Sequence, residues 1–177
     1  RLHKWCDDRG IDIYKAQSAT MEDGTLVIDK SPVLEYDIRI GNLCNLRCKM
    51  CNPGESTKWY DEWMDTMFDG FKSDFTRLEF EKVNGKAKLK NDIYTWYDDS
   101  NFYSELYKNS SNLRKIYLSG GEPTLVENLY DILQKFIDDG LAKDIELEYN
   151  INLTNVPRRS LPMWHEFKSV TLGGSID

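Results

Sequence analysis

Four short runs that read as strands, the first of them apolar and β-branched, constrain the fold of this chain more than any other feature of its sequence. They occupy residues 33–40, 113–119, 145–153 and 169–172, and each ends near glycine, asparagine or serine. Such runs are typical of buried strands. Because segments with helical spacing of apolar residues separate them, the sequence predicts an α/β fold with a parallel sheet and right-handed crossovers.

The segments between these runs contain apolar residues spaced by three and four, which predicts amphipathic helices. The first helix, from Trp59 to Phe71, carries an aromatic stripe that we interpret as core packing. Further helices are predicted over residues 100–107, 125–137 and 157–167. The interval 72–98 has no clean period, and the sequence around Asn84-Gly85 predicts an exposed turn or loop.

The length of 177 residues suits a single domain, since domains usually have about 100–200 residues. We assign residues 33–177 to the folded core and residues 1–32 to a polar N-terminal extension, with a hairpin predicted at Asp23-Gly24. The chain begins with Arg1 instead of Met, and it stops just after the fourth strand. Both ends are therefore expected to be cut, with the core truncated after that strand.

The balance of charge limits the classes of partner. With 23 Lys and Arg against 30 Asp and Glu, the formal net charge is −7, which argues against a nucleic-acid or anionic membrane surface. No apolar stretch approaches the ~20 residues of a membrane span, and no signal-peptide core follows the N-terminus. The sequence therefore predicts a soluble cytoplasmic protein with no nucleic acid and no membrane among its partners.

Three of the four cysteines, Cys44, Cys48 and Cys51, lie within eight residues, directly after the first predicted strand. Four cysteines are too few for a disulfide scaffold, and clustered thiolates are typical of zinc or iron–sulfur sites. A closed zinc site needs four protein ligands, whereas three thiolates on a four-iron cluster leave one iron open for a substrate or cofactor. The other candidate ligands are Cys6, His3 and His165. We interpret Cys6 as a buried or partly buried free thiol, with an auxiliary-cluster ligand as the alternative.

The other unusual segments also follow predicted strands. Gly120-Gly121-Glu122-Pro123 follows the second strand, Thr154-Asn155 the third, and Ser175 the fourth. Ligands of parallel α/β proteins bind at the carboxyl ends of the strands, where neighbouring loops meet. We therefore expect these segments and the cysteines to surround one binding site.

The C-x3-C-x2-C loop after the first strand, the GGEP sequence after the second and the Ser-x-Asp after the fourth resemble the radical S-adenosylmethionine (SAM) superfamily. The resemblance covers residues 36–177 and implies a parallel-stranded partial (β/α) barrel with four βα units. The Cys-Asn-Leu-Arg-Cys sequence and Asn52-Pro53 are most similar to the branch with SPASM or twitch extensions, which bind auxiliary clusters.

The resemblance implies a role for each motif. Cys44, Cys48 and Cys51 would bind a 4Fe-4S cluster, and SAM would chelate its open iron. Met50 would lie near the adenine, at a position that is usually aromatic. In the GGEP bend, Gly120 and Gly121 would allow close backbone approach, Glu122 would accept from the SAM ammonium and Pro123 would stiffen the turn. Thr154, Asn155 and Ser175 would hydrogen-bond the ribose or carboxylate of SAM.

The function implied by this resemblance is an enzyme that reductively cleaves SAM to a 5′-deoxyadenosyl radical, which abstracts hydrogen from a substrate. The substrate is unknown, and a peptide is one candidate, since members of this branch often modify peptides. A reducing electron donor would be a partner, and no catalytic side chain beyond the cluster is identified. The alternative is a non-catalytic iron–sulfur or zinc-binding module.

Overall fold

The computed structural model describes residues 2–8, 14, 18, 20–25, 33–68, 78–91 and 93–176. The helices in these residues are α1 (Leu2–Asp7), α2 (Tyr60–Phe68), α3 (Ser100–Lys108), α4 (Glu127–Asp138) and α5 (Ser160–Trp164). The strands are β1 (Glu35–Ile40), β2 (Phe80–Val83), β3 (Lys86–Leu89), β4 (Lys115–Gly120), β5 (Glu146–Ile151) and β6 (Ser169–Gly174).

Strands β1, β4, β5 and β6 form a parallel sheet in that order. The order of these four strands in the sheet is thus their order along the chain, and β2 and β3 form a separate sheet. At the carboxyl ends, Ile40 pairs with Gly120, and Ile151 pairs with Gly174. Helices lie between the strands in sequence, which confirms the predicted α/β fold with a parallel sheet. Because all four strands point the same way, the loops that follow them emerge at one edge.

The two faces of this sheet differ in polarity, because successive side chains of a strand point to opposite sides. One face, with Leu118 and Tyr149, is buried in a core that also contains Phe136 of α4. On the other face, the Lys115 ammonium lies 2.8 Å from Glu148 and 3.3 Å from Glu35. Hydrogen bonding to Glu148 raises the pKa of Lys115 above its ordinary value. The helices therefore cover the apolar face, whereas the polar face carries charged side chains.

A short hairpin corrects the sequence-based prediction for the interval before α3. Strands β2 and β3 pair antiparallel around Asn84 and Gly85, both of which have positive φ, at 50° and 79°. The turn is where the sequence predicted it, but the flanking strands were missed because they are short and mostly polar. The backbone amide of Ala87 donates a 2.6 Å hydrogen bond to the carboxylate of Asp61 on α2, which holds the hairpin against that helix.

Most element boundaries differ little from the predictions, with a few exceptions. Helix α5 spans Ser160–Trp164, which is shorter than the predicted 157–167. A 3-10 turn at Thr57–Trp59 precedes α2, and Phe71 lies outside the described residues. The chain turns at 21–25, but residues 26–28, where the second strand of the predicted hairpin would lie, are also outside them. Cys6 of α1 is buried and free.

Within the part of the chain that the structure describes, no helix combines the length and the apolar character that a membrane span requires.

Candidate cluster and cofactor site

The cysteine loop is irregular in backbone, and the segment before α2 holds it in place. The indole Nε1 of Trp59 donates to the carbonyl of Cys48 at 3.1 Å, and the hydroxyl of Thr57 donates to that of Cys44 at 3.4 Å. The buried hydroxyl of Ser56 donates to the carbonyl of Leu46 at 2.5 Å. Carbonyl groups of the loop thus find partners that neither helix nor strand would supply.

Asn42 joins the two ends of this loop. Its buried side-chain Nδ2 donates to the carbonyl of Pro53 at 2.7 Å and to the hydroxyl of Tyr60 at 2.6 Å. Its backbone carbonyl accepts from the amide of Thr57 at 3.0 Å. The segment that carries the three cysteines therefore begins and ends at the carboxyl end of β1.

The thiols of Cys44, Cys48 and Cys51 are half-buried, and none forms a disulfide. The backbone amide of Leu46 lies 3.5 Å from the Cys44 sulfur, and the side-chain Nδ2 of Asn152 lies 3.9 Å from it. Among the described residues, no three His, Cys, Asp or Glu side chains converge to hold a single metal ion. A single zinc ion would need sulfurs roughly 3.8 Å apart, given Zn–S bonds of about 2.3 Å, whereas the thiolates of a cluster bind separate irons.

The glycines of the GGEP bend pack directly on the start of the cysteine loop. The amide of Gly121 donates to the carbonyl of Gly41 at 3.1 Å, and the amide of Glu122 donates to that of Leu43 at 2.7 Å. A Cβ atom on Gly121 would lie 2.4 Å from the Leu43 carbonyl oxygen, and Gly120 has a φ of +120°. Both positions therefore require glycine, and the structure brings the two predicted motifs together.

The side chain of Glu122 is buried, and two loops of the protein supply its hydrogen-bond donors. It is 1% exposed, and its Oε1 accepts from the amide and the hydroxyl of Thr124 at 3.2 and 2.6 Å. Its Oε2 accepts from the backbone amide of Asn152 at 2.7 Å. The carboxylate therefore joins the loops after β4 and β5, and the protein already supplies its hydrogen-bond donors. A carboxylate can accept about four hydrogen bonds, so the expected contact between Glu122 and a ligand ammonium stays a prediction.

Asn152, Asn45 and Thr154 form a ring of hydrogen bonds between the end of β5 and the cysteine loop. Asn152 Nδ2 donates to Asn45 Oδ1 at 2.7 Å, and Asn45 Nδ2 donates to the Thr154 hydroxyl at 2.8 Å. That hydroxyl lies 2.7 Å from Asn152 Oδ1, which closes the ring. Sequence analysis did not identify Asn42, Asn45 or Asn152 as site residues. Asn45 lies within the cysteine motif, and the other two lie close to predicted motifs.

A cavity of about 600 Å³ lies at the carboxyl ends of β1, β4, β5 and β6. The predicted site residues that line it are Cys51, Gly120, Gly121 and Ser175. The remaining predicted residues, Cys44, Cys48, Met50, Glu122, Pro123, Thr154 and Asn155, are not part of its lining. The side chain of Met50 is 88% exposed, whereas Glu122 and Pro123 are buried.

Side chains from the polar face of the sheet complete this cavity. Asn150 on β5 donates a 2.6 Å hydrogen bond to the hydroxyl of Tyr117 on β4, and Trp96 contributes an aromatic wall. Arg39 on β1 also lines the cavity, and its guanidinium has no ion pair or hydrogen bond with any residue that the structure describes. Period-two alternation along β1, β4 and β5 was the sequence signal that could have identified these residues.

These features fit a ligand that needs thiolates and close backbone approach. The three half-buried thiols form no disulfide, and two N–H groups lie near the Cys44 sulfur. Cys51 and the two glycines that exclude a Cβ line the cavity. Comparison with known proteins adds no identification, since no family model, curated protein or solved structure matches this chain. The assignment of function therefore depends on these residues and their geometry.

Proposed function

We propose that this chain is the core of a radical SAM enzyme, with a 4Fe-4S cluster on Cys44, Cys48 and Cys51 and SAM in the adjacent cavity. The observation that carries the proposal is the contact between the GGEP bend and the cysteine loop, in which Glu122 N lies 2.7 Å from Leu43 O. A cofactor that must contact both an open iron and a glycine backbone needs these two motifs side by side.

The order of the strands in the sheet supports a barrel as the type of α/β fold. Strands that are neighbours both in sequence and in the sheet, as in the order β1-β4-β5-β6, are what a (β/α) barrel requires. We therefore infer a partial barrel of the radical SAM type, from the branch with twitch or SPASM extensions. Cysteines that form no disulfide suit a reducing compartment, which supports a cytoplasmic location.

The roles of the chain's own residues follow from their positions. The three thiolates would hold the cluster, and the backbone of Gly120 and Gly121, which lines the cavity, would meet the SAM amino group. The guanidinium of Arg39, which pairs with none of the described residues, would bind a carboxylate, the group that SAM itself carries. Ser175 lines the cavity and can hydrogen-bond a ribose or carboxylate oxygen.

The chemistry that the cluster would supply is one-electron reductive cleavage of SAM, giving a radical that abstracts hydrogen from the substrate. The protein would position SAM and limit access of water, and two N–H groups near the Cys44 sulfur would stabilise the bound cluster. The substrate remains to be identified, with a peptide as one candidate, and an external electron donor is required.

One observation favours the alternative, a non-catalytic iron–sulfur or zinc-binding module. The buried carboxylate of Glu122 stabilises the fold through three hydrogen bonds, so the GGEP sequence also has a purely structural use. Iron content and SAM cleavage distinguish the two functions.

The test uses protein that is purified and reconstituted with iron and sulfide under anaerobic conditions. We expect a brown protein with a full four-iron complement, which forms 5′-deoxyadenosine when SAM and dithionite are added. The matched control is Cys48→Ala, treated identically, which should bind little iron and form no product. A colourless zinc protein that forms no 5′-deoxyadenosine would contradict the proposal and support the alternative.

A further inference from the structure

Asn152 follows β5 directly and is half-buried between the GGEP bend and the cysteine loop. Its backbone amide donates to Glu122, while its side-chain Nδ2 reaches the sulfur of Cys44 at 3.9 Å. We propose that Asn152 is a positioning residue whose side-chain N–H group raises the reduction potential of the cluster through Cys44. This inference rests on the proposed function, since it needs a cluster on the three cysteines.

The hydrogen bonds of the Asn152 amide determine which of its ends faces the sulfur. The backbone N–H of Thr154 lies 3.0 Å from Asn152 Oδ1, and a backbone N–H can only donate. The atom facing Thr154 must therefore be the oxygen. The NH2 group then faces Asn45 Oδ1 at 2.7 Å and the Cys44 sulfur. A flipped amide would place two donors against each other at Thr154 and two acceptors against each other at Asn45.

An N–H group directed at a ligating thiolate favours the reduced cluster. Reduction adds negative charge to the irons and their sulfurs, so a donor at a sulfur stabilises the reduced form more than the oxidised form. The backbone amide of Leu46 also lies near the Cys44 sulfur, at 3.5 Å, and it remains in any side-chain variant of Asn152. Of these two N–H groups near the Cys44 sulfur, a side-chain substitution removes only that of Asn152.

The attachment of Asn152 to its surroundings makes this donor rigid. Its backbone amide is held by a buried carboxylate, and its side-chain oxygen is held by the backbone and hydroxyl of Thr154. A rigid donor needs little reorganisation when the charge of the cluster changes. The end of β5 would in this way influence a cluster that is bound by residues after β1.

The experiment is a redox titration monitored by electron paramagnetic resonance, on anaerobically reconstituted protein without SAM. Asn152→Leu removes the donor and keeps a similar volume, and Asn152→Asp replaces the donor with an acceptor. We expect both to lower the equilibrium constant for reduction by up to about tenfold, which for one electron is about 59 mV in midpoint potential. The lowering should be larger for Asn152→Asp, because it adds negative charge.

The matched control is Thr154→Val, which removes the hydroxyl from the ring but leaves Asn152 Nδ2 and the Thr154 backbone amide in place. Its midpoint potential should stay closer to that of the wild type than in either Asn152 variant, because the Thr154 backbone amide still donates to Asn152 Oδ1. Thermal unfolding of the cluster-free variants measures separately how much each substitution destabilises the fold. The midpoint potential of a bound cluster does not measure that loss of stability.

Three results would overturn the inference. Equal midpoint potentials in the wild type and in both Asn152 variants, each with a full four-iron complement, would remove the effect on the cluster and leave the proposed function intact. Loss of the cluster from both Asn152 variants, but not from Thr154→Val, would replace the effect on potential with a role in assembly. Wild-type protein without a reducible four-iron cluster would overturn the proposed function itself, and this inference with it.

Discussion

The backbone amide of Asn152 donates a 2.7 Å hydrogen bond to the buried carboxylate of Glu122. The two residues lie after different strands, so this bond joins the loop that follows β4 to the loop that follows β5. Thr124 supplies two further donors to the same carboxylate. A buried carboxylate is costly unless it is hydrogen-bonded, and here the donors come from the protein itself. Glu122 is thus a structural link beside the site, and this link holds Asn152 near Cys44.

Replacement of Glu122 by Ala should lower the free energy of unfolding of the cluster-free protein by about 1–3 kcal/mol. The reason is that the half-buried amide of Asn152 and the buried amide of Thr124 would lose their acceptor. Urea denaturation measures the loss. SAM affinity should fall as well, because the loop after β5 is no longer held.

Glu127→Gln is the control for this change, since Glu127 is exposed and its ion pair with Arg159 lies at the surface. It should change the stability little. If Glu122→Ala weakened SAM binding while the unfolding free energy stayed at the wild-type value, a direct contact between the carboxylate and SAM would be favoured instead.

Gly121→Ala should disrupt the contact between the GGEP bend and the cysteine loop. The added Cβ would lie 2.4 Å from the carbonyl oxygen of Leu43, so backbone must move. We expect a loss of about 1–3 kcal/mol in stability, as for other overpacked sites. SAM affinity should fall more than tenfold, measured by calorimetry on anaerobic, cluster-loaded protein.

Gly140→Ala provides the comparison for this variant. Gly140 follows α4, has a φ of +69° and has no atom within 4 Å of an added Cβ. The substitution should cost about 1 kcal/mol in backbone strain and leave SAM affinity unchanged. Equal SAM affinities in the two glycine variants would contradict the role of Gly121.

Cys48→Ala should abolish incorporation of the cluster while the secondary structure persists. The loop that carries Cys48 lies outside the hydrophobic core, so removal of this thiol leaves the packing of the core intact. Iron analysis measures the first effect, and far-ultraviolet circular dichroism measures the second. Cys6→Ala is the control, because Cys6 lies on α1 and should leave the iron content unchanged. A full four-iron complement in Cys48→Ala would exclude Cys48 as a ligand.

Arg39→Gln should weaken SAM binding about tenfold. A hydrogen bond to a charged group contributes about 1.5–3 kcal/mol, and 1.4 kcal/mol corresponds to a factor of ten. Calorimetry on the cluster-loaded protein measures the change, and Arg39→Lys should restore part of the affinity. Arg158→Gln serves as the control, since Arg158 is exposed and does not line the cavity. An unchanged affinity in Arg39→Gln would show that the SAM carboxylate has other partners.

Local patterns predicted much of the fold. The four predicted strands correspond to β1, β4, β5 and β6, and the helical spacing before Gly140 corresponds to α4. The hairpin of β2 and β3 was missed because its strands are short and polar, although its Asn84-Gly85 turn is a strong hairpin signal. Periodicity identifies elements that have an apolar face, and it is weak for elements without one.

The candidate site was predictable in outline and not in detail. Placement of the cysteines and of Gly120-Gly121 at the same sheet edge followed from parallel strands alone. The direction of the Glu122 side chain did not, because a carboxylate after a strand can face a cavity or the interior. Met50, predicted to lie near the adenine, is exposed and outside the cavity lining. Arg39 was overlooked because a charged residue within a strand has no motif of its own.

The sequence by itself determined the four strands of the parallel sheet and most of the helices, because each depends on residues a few positions apart. It also determined the sheet edge at which the conspicuous motifs meet, because the strands are parallel. Only the tertiary structure decided that Glu122 is bound by Thr124 and Asn152, and that Asn152 reaches the Cys44 sulfur. The cysteine loop and the end of β5 are distant in sequence and come together through strand pairing. Hydrogen bonds between residues that strand pairing brings together have no short-range sequence pattern, so they could not be predicted from the sequence.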